Sequence, residues 1–160
     1  MKMKEKIAYL NGFLDSLSIV LSYCNCNYDF YFKKITSYQS PDETIQKYFE
    51  QFQVKNVQKK STGNFTENNA NFLNISDWKN EIHSQLNYWL YELNNDADFK
   101  LQDVETHQFL FNKLTQLLNG IIGKNNGVWK ILNACDDIHF SEFIIRNHEE
   151  YYLLHFGLND

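Results

Sequence analysis

"EEYYLLHFGLND", residues 149–160, closes the chain. Its reading decides between a last strand of a core and a site built on His155. In an extended strand, alternate side chains point to opposite faces. Tyr152, Leu154, Phe156 and Leu158 then share one wholly apolar face, which predicts contact with the core. Tyr151, Leu153 and His155 share the other. That arrangement predicts a half-exposed strand histidine on the less buried face, beside a partner strand.

The neighbouring stretches agree with a terminal sheet. "VWKIL" (128–132) and "HFSEFIIR" (139–146) are short runs rich in β-branched and aromatic residues, and "NHEE" (147–150) can turn a hairpin. Upstream the pattern changes. Ile7, Leu10, Leu14, Leu17 and Leu21 recur every three or four residues and predict a helix over about 4–22. "SPDE" (40–43) is a helix start: Ser40 caps, Pro41 suits the first helical position and Glu43 reaches back, so a helix should run to about Gln53. Asn74 can cap a helix carrying Ile75, Trp78, Ile82, Leu86, Trp89 and Leu93. A further helix is expected over about 103–122. In "CNCNYDFYFKKI" (24–35), Tyr28, Phe30 and Phe32 alternate with Asp29, Tyr31 and Lys33, which fits a strand or a short helix equally. Residues 54–73 are polar and lack a sustained period, so they read as a mobile loop. The expected architecture is α+β: N-terminal helices packed on a small C-terminal antiparallel sheet, as one domain over 1–160.

Composition narrows the function. The 160 residues carry a net charge of −5, with a single Arg, Arg146. Nucleic-acid backbones call for clustered cations, so no nucleic-acid partner is expected. The acidity is uneven: residues 1–60 sum to +3, while 76–105 and 131–160 sum to −5 each. The second of these segments surrounds the strands, and the first surrounds Tyr88 and Tyr91. An acidic surface with exposed tyrosines suits a basic protein partner. The residues expected to make that contact are Tyr88, Tyr91, Glu92, Asp96, Asp98, Asp136, Asp137, Glu142, Glu149 and Glu150. No run approaches the length of a membrane span, no leader is visible, and the three cysteines (Cys24, Cys26, Cys135) read as reduced thiols, so a cytoplasmic protein with no membrane partner is expected.

Chemistry-bearing patterns are sparse. The Cys24-x-Cys26 pair has no second knuckle, and no phosphate-binding glycine loop or nucleophile elbow occurs. His139, His148 and His155, with Glu142, Glu149 and Glu150, form the one cluster that could support a metal-dependent hydrolase. The sequence reading favours no enzyme, no cofactor and no metal.

Glu142-Phe143-Ile144-Ile145 followed by Tyr151-Tyr152-Leu153-Leu154-His155-Phe156-Gly157 resembles the C-terminal hairpin of small acidic immunity proteins from bacterial polymorphic-toxin and contact-dependent inhibition systems. The resemblance spans about 20 of the residues. It implies a protein-binding inhibitor that neutralises a cognate toxin, often a nuclease, by direct binding. The same chemistry would serve a phage- or mobile-element-encoded inhibitor of a host enzyme.

Overall fold

In the computed structural model, residues 1–22, 27–57, 72–92, 104–122, 127–132 and 139–159 are described. The segments that hold Asp96, Asp98, Asp136 and Asp137, and the centre of the predicted 54–73 loop, lie outside them. The element order is α1 (Met3–Leu21), β1 (Asn27–Ile35), α2 (Pro41–Val57), β2 (Phe72–Asn74), α3 (Trp78–Asn87) continuing as a π-helical turn (Tyr88–Glu92), α4 (Val104–Ile121), β3 (Val128–Ile131), β4 (His139–Asn147) and β5 (Glu150–Asn159). The fold is α+β, with one five-stranded antiparallel sheet in the order β1-β5-β4-β3-β2.

The helix starts follow the local chemistry. Ser40 Oγ accepts from the Glu43 N–H at 3.1 Å, and the Glu43 carboxylate reaches back to the Gln39 N–H at 3.2 Å. These bonds occupy donors that the first turn of α2 cannot pair internally. α2 continues to Val57, past the predicted stop near Gln53. Asn74 does not cap α3. It ends β2, and Asp77 is the cap, accepting from the Asn80 N–H at 3.3 Å. Within the stretch 24–35, open in sequence between helix and strand, Asn27–Ile35 is a strand of nine residues paired along its length with β5.

β1 and β2 thus come from the N-terminal half and form the two edges of the sheet, around the three C-terminal strands. Edge strands carry unpaired backbone groups. On β1 one such pair is met by a side chain of α1: Asn11 Nδ2 donates to Phe32 O at 2.8 Å, and Asn11 Oδ1 accepts from Phe32 N–H at 2.7 Å. The amide stands in for a missing strand at that position.

The sheet is covered on both faces. On one side α1, α3 with its π-turn, and α4 bury Leu10, Leu14, Ile82, Leu86, Trp89 and Leu114 against Phe30, Phe32, Phe143, Tyr152, Leu154 and Phe156. On the other side α2 places Ile45 and Phe49 over Ile35, Trp129, Ile144, Tyr151 and Leu153. The predicted two faces of β5 are therefore correct in composition. The expectation of a half-exposed face is not, because α2 lies across it and His155 is 4% exposed.

Candidate functional site

His155 sits at the centre of the α2-side layer. The antiparallel registers put Glu142 of β4 on one flank and Tyr31 of β1 on the other. His155 Nδ1 lies 3.0 Å from Glu142 Oε1, with both side chains buried. A carboxylate has only acceptors, so with Glu142 ionised the proton of this bond is on Nδ1. The Tyr31 ring stacks on the imidazole with centroids 4.6 Å apart and 15° between planes. From α2, the Tyr48 hydroxyl donates to Glu142 Oε1 at 3.5 Å. Burial, and then the nearby Glu142, push the Tyr48 phenol well above its ordinary range, so it remains a neutral donor.

The other imidazole nitrogen explains Gly157. A Cβ on residue 157 would lie 2.3 Å from His155 Nε2. The ring lies across the next position on its own face of β5, and only a residue without a side chain leaves it room. The His-Phe-Gly sequence is thus a packing unit: histidine and glycine on the α2 side, phenylalanine on the other.

The arrangement can hold a proton between His155 and Glu142 and fix three strands and α2 to one another. Ser141, the hydroxyl next to Glu142 in sequence, points to the opposite face. There it accepts from Trp89 Nε1 at 3.1 Å and donates to Gln85 Oε1 at 2.7 Å. Strand alternation separates the serine from the histidine–carboxylate pair, so the three do not form a nucleophilic triad.

The predicted histidine cluster is not assembled. His148 occupies the exposed β4–β5 turn with φ 55°, whereas His139 begins β4 opposite Leu158 at the other end of the hairpin. Nine residues of strand separate the two, about 30 Å at the usual rise. Among the described residues, no group of three or more His, Cys, Asp or Glu is disposed to hold a metal.

The predicted contact residues are scattered as well. Glu142 is 5% exposed and committed to His155, which corrects its expected place on the surface. It was misplaced because the sequence does not reveal which helix covers its face. Glu150 is tied to Lys34 and to the Tyr152 hydroxyl, and these hydrogen bonds, Lys34 first, hold its carboxyl below the ordinary range. Glu149 is exposed, 3.8 Å from Arg146. Glu92 is exposed and accepts from Asn87 Nδ2 at 3.1 Å. Tyr88 and Tyr91 are half-buried and pack against the larger core.

Two features were not anticipated. The outer face of α1 and α4 exposes Tyr9 (60%) and Phe109 (63%), with Ile19 and Val20 further along α1. Lys113 stands 5.7 Å from the Tyr9 ring, one helical turn from Phe109. Between α3 and α4, the rings of His83 and His107 stack at 5.1 Å, with Phe111 and Tyr91 around them. Burial first, and His83 second, lower the pKa of His107, and its Nε2 is buried without a hydrogen-bond partner among the described residues.

No family model matches the chain, and no curated protein matches it. Among solved structures, the crystal structure of citrus MAF1 is similar at 9% identity, over 91% of this chain and 98% of that one, with a TM-score of 0.43. A backbone likeness of that order carries no activity across.

Proposed function

We propose that this chain is a protein-binding inhibitor of the immunity type, which acts in the cytoplasm by binding a cognate toxin domain directly. The observation that carries the reading is the outer face of α1 and α4. Soluble surfaces expose single apolar residues routinely, but two large aromatics beside a cation on adjacent helices make a usable anchor. A groove of about 320 Å³ opens at Tyr9 and Lys113, lined also by Met1, Lys6, Leu117 and Gly120. Aromatic side chains supply contact area with little loss of rotamer freedom, and so govern the lifetime of a complex. The net charge of −5 attracts a basic partner at long range and raises the encounter rate, while Lys6 and Lys113 on the face itself call for carboxylates opposite them in the complex.

One further observation agrees with a surface function. His155 and Glu142 are occupied inside the fold, where they join strands to α2. Among the described residues, no helix is long and apolar enough to cross a membrane.

The test is co-expression with the product of the neighbouring gene, followed by size-exclusion chromatography and a growth-rescue assay. An equimolar complex that restores growth supports the proposal. Tyr9→Ala combined with Phe109→Ala should weaken that complex by about 30-fold or more, the cost of losing a central anchor, while the far-UV spectrum stays unchanged. A complex indifferent to both substitutions would refute this face as the contact. Absence of both complex and rescue would refute the inhibitor reading.

A further inference from the structure

The groove between α1 and α4 opposes the chain as a whole in the sign of its charge. The chain carries −5, yet the groove holds Lys6 and Lys113, and among the described residues no carboxylate lines it. Both lysines cross the groove, in opposite directions. Lys6 reaches from α1 to α4, where its ammonium donates to Gly120 O at 2.6 Å. That bond uses one of its three donors. Lys113 reaches from α4 to α1 and ends 5.7 Å from the centre of the Tyr9 ring. Glu5, next to Lys6 in sequence, turns its carboxylate back to the Lys2 N–H at 2.8 Å. The apolar parts of the face are Tyr9 and Leu117 in the groove, and Phe109 one turn before Lys113. Past Phe109 the same stripe of α4 reaches the exposed Glu105, so the cationic character is confined to the Lys6–Lys113 end.

We infer that this groove receives an amphipathic helix of the protein partner, with apolar side chains set against Tyr9 and Phe109 and carboxylates on Lys6 and Lys113. The inference rests on the reading of this face as the partner contact and specifies what the partner presents there. Shape argues for a helix. Lys6 meets Gly120 while Tyr9 meets Lys113, so α1 and α4 run antiparallel, and the groove between two such helices accepts the ridge of a third. From Phe109 to Gly120, α4 extends for roughly 16 Å, about three turns of a partner helix. The backbones of α1 and α4 are paired internally, so an extended segment laid there would leave its own amides without protein partners. Charge argues for acids: ammonium groups form strong hydrogen bonds with carboxylates. An acidic helix on a basic domain is then drawn in by the net charge of this chain and oriented by its two lysines.

The full chain would be titrated by calorimetry and amide NMR, at constant ionic strength, with an acetylated helical peptide whose one stripe carries Leu and Phe between glutamates. The peptide would be about 15 residues long, where isolated helices begin to hold. Its controls carry lysines for the glutamates, serines for Leu and Phe, or a central proline. Saturable binding of one equivalent of the acidic helix is expected, with shifts at residues 6–9 and 109–120, and each control should bind about tenfold more weakly or worse. Lys113→Glu should weaken the acidic helix by about tenfold and strengthen the lysine peptide, a reversal that loss of folding does not produce. Equal binding of the acidic and basic peptides, or of the proline peptide, would overturn the inference. So would shifts of the same residues on simple concentration of the chain, which would assign the face to a second copy. Peptide binding without any complex in co-expression would sink the inhibitor reading alone; an intact complex without peptide binding would sink this inference alone.

Discussion

At the scale of single residues, the pairing of His155 with Gly157 is the tightest constraint in the sheet. The imidazole occupies the space where a side chain at 157 would stand, while its opposite nitrogen is held by Glu142. Gly157→Ala should therefore cost about 1–3 kcal/mol, the range for overpacking a filled site. The cost arises from the ring, so it should largely vanish when the same substitution is made in His155→Ala, where an added methyl partly fills the space left. Urea denaturation of the four members of that cycle measures the coupling; additive costs would show that the glycine is required for some other reason. The His-Phe-Gly run was visible in sequence as a strand end. Its internal dependence was not, since nothing in the order of residues states how far a histidine ring leans along its own strand.

At the scale of elements, the sheet edges and helix contacts depend on single polar side chains. Asn11 stands in the middle of the amphipathic α1. In the fold it pairs both backbone groups of Phe32 and blunts an edge that would otherwise be open to further strands. The α3–α4 contact holds the stacked His83 and His107. The folded-state pKa of His107 lies below its ordinary value of 6.5, so the folded protein resists a proton that the unfolded chain accepts. Stability should accordingly fall as pH drops below about 6.5, and level off for this group once pH is below the folded pKa. His107→Gln should be less acid-sensitive over that interval than the parent. Denaturation midpoints at neutral and mildly acidic pH check the sign, and an equal or steeper loss in the variant would contradict it. The helix stripes were legible because burial repeats at the helical period, as with Leu10, Leu14, Leu17 and Leu21. The π-turn that holds the buried Trp89 and Leu90 was not, since its extra residue per turn leaves no mark in the apolar spacing.

At the scale of the whole molecule, the two faces of the sheet are unequally secured. Three helices and the large aromatics hold one face; among the described residues, α2 alone holds the other, mainly through Ile45, Phe49 and the fully buried Thr44. Local opening draws on regions with fewer buried apolar contacts. Amides in α2 should therefore exchange with solvent faster than those in the middle of β4 and β5, by a route that leaves the larger core closed. Hydrogen exchange at several denaturant concentrations tests this, and equal protection in both regions would indicate a single cooperative unit.

The sequence by itself determined the α+β class, the approximate places of α1, α2 and α4, the cap at Ser40 and the two faces of β5. All of these rest on periodicity or on contacts within a few residues. Only the tertiary structure decided which strands are edges, that α2 buries the face carrying His155, that Glu142 is an internal partner rather than a surface acid, and that His139 and His148 stand at opposite ends of one hairpin. The physical reason is range. Backbone propensity and capping act over one or two turns, whereas the surroundings of Glu142 and His155 are set by Tyr31 and Tyr48, brought from about a hundred residues away by the pairing of β1 with β5 and the docking of α2.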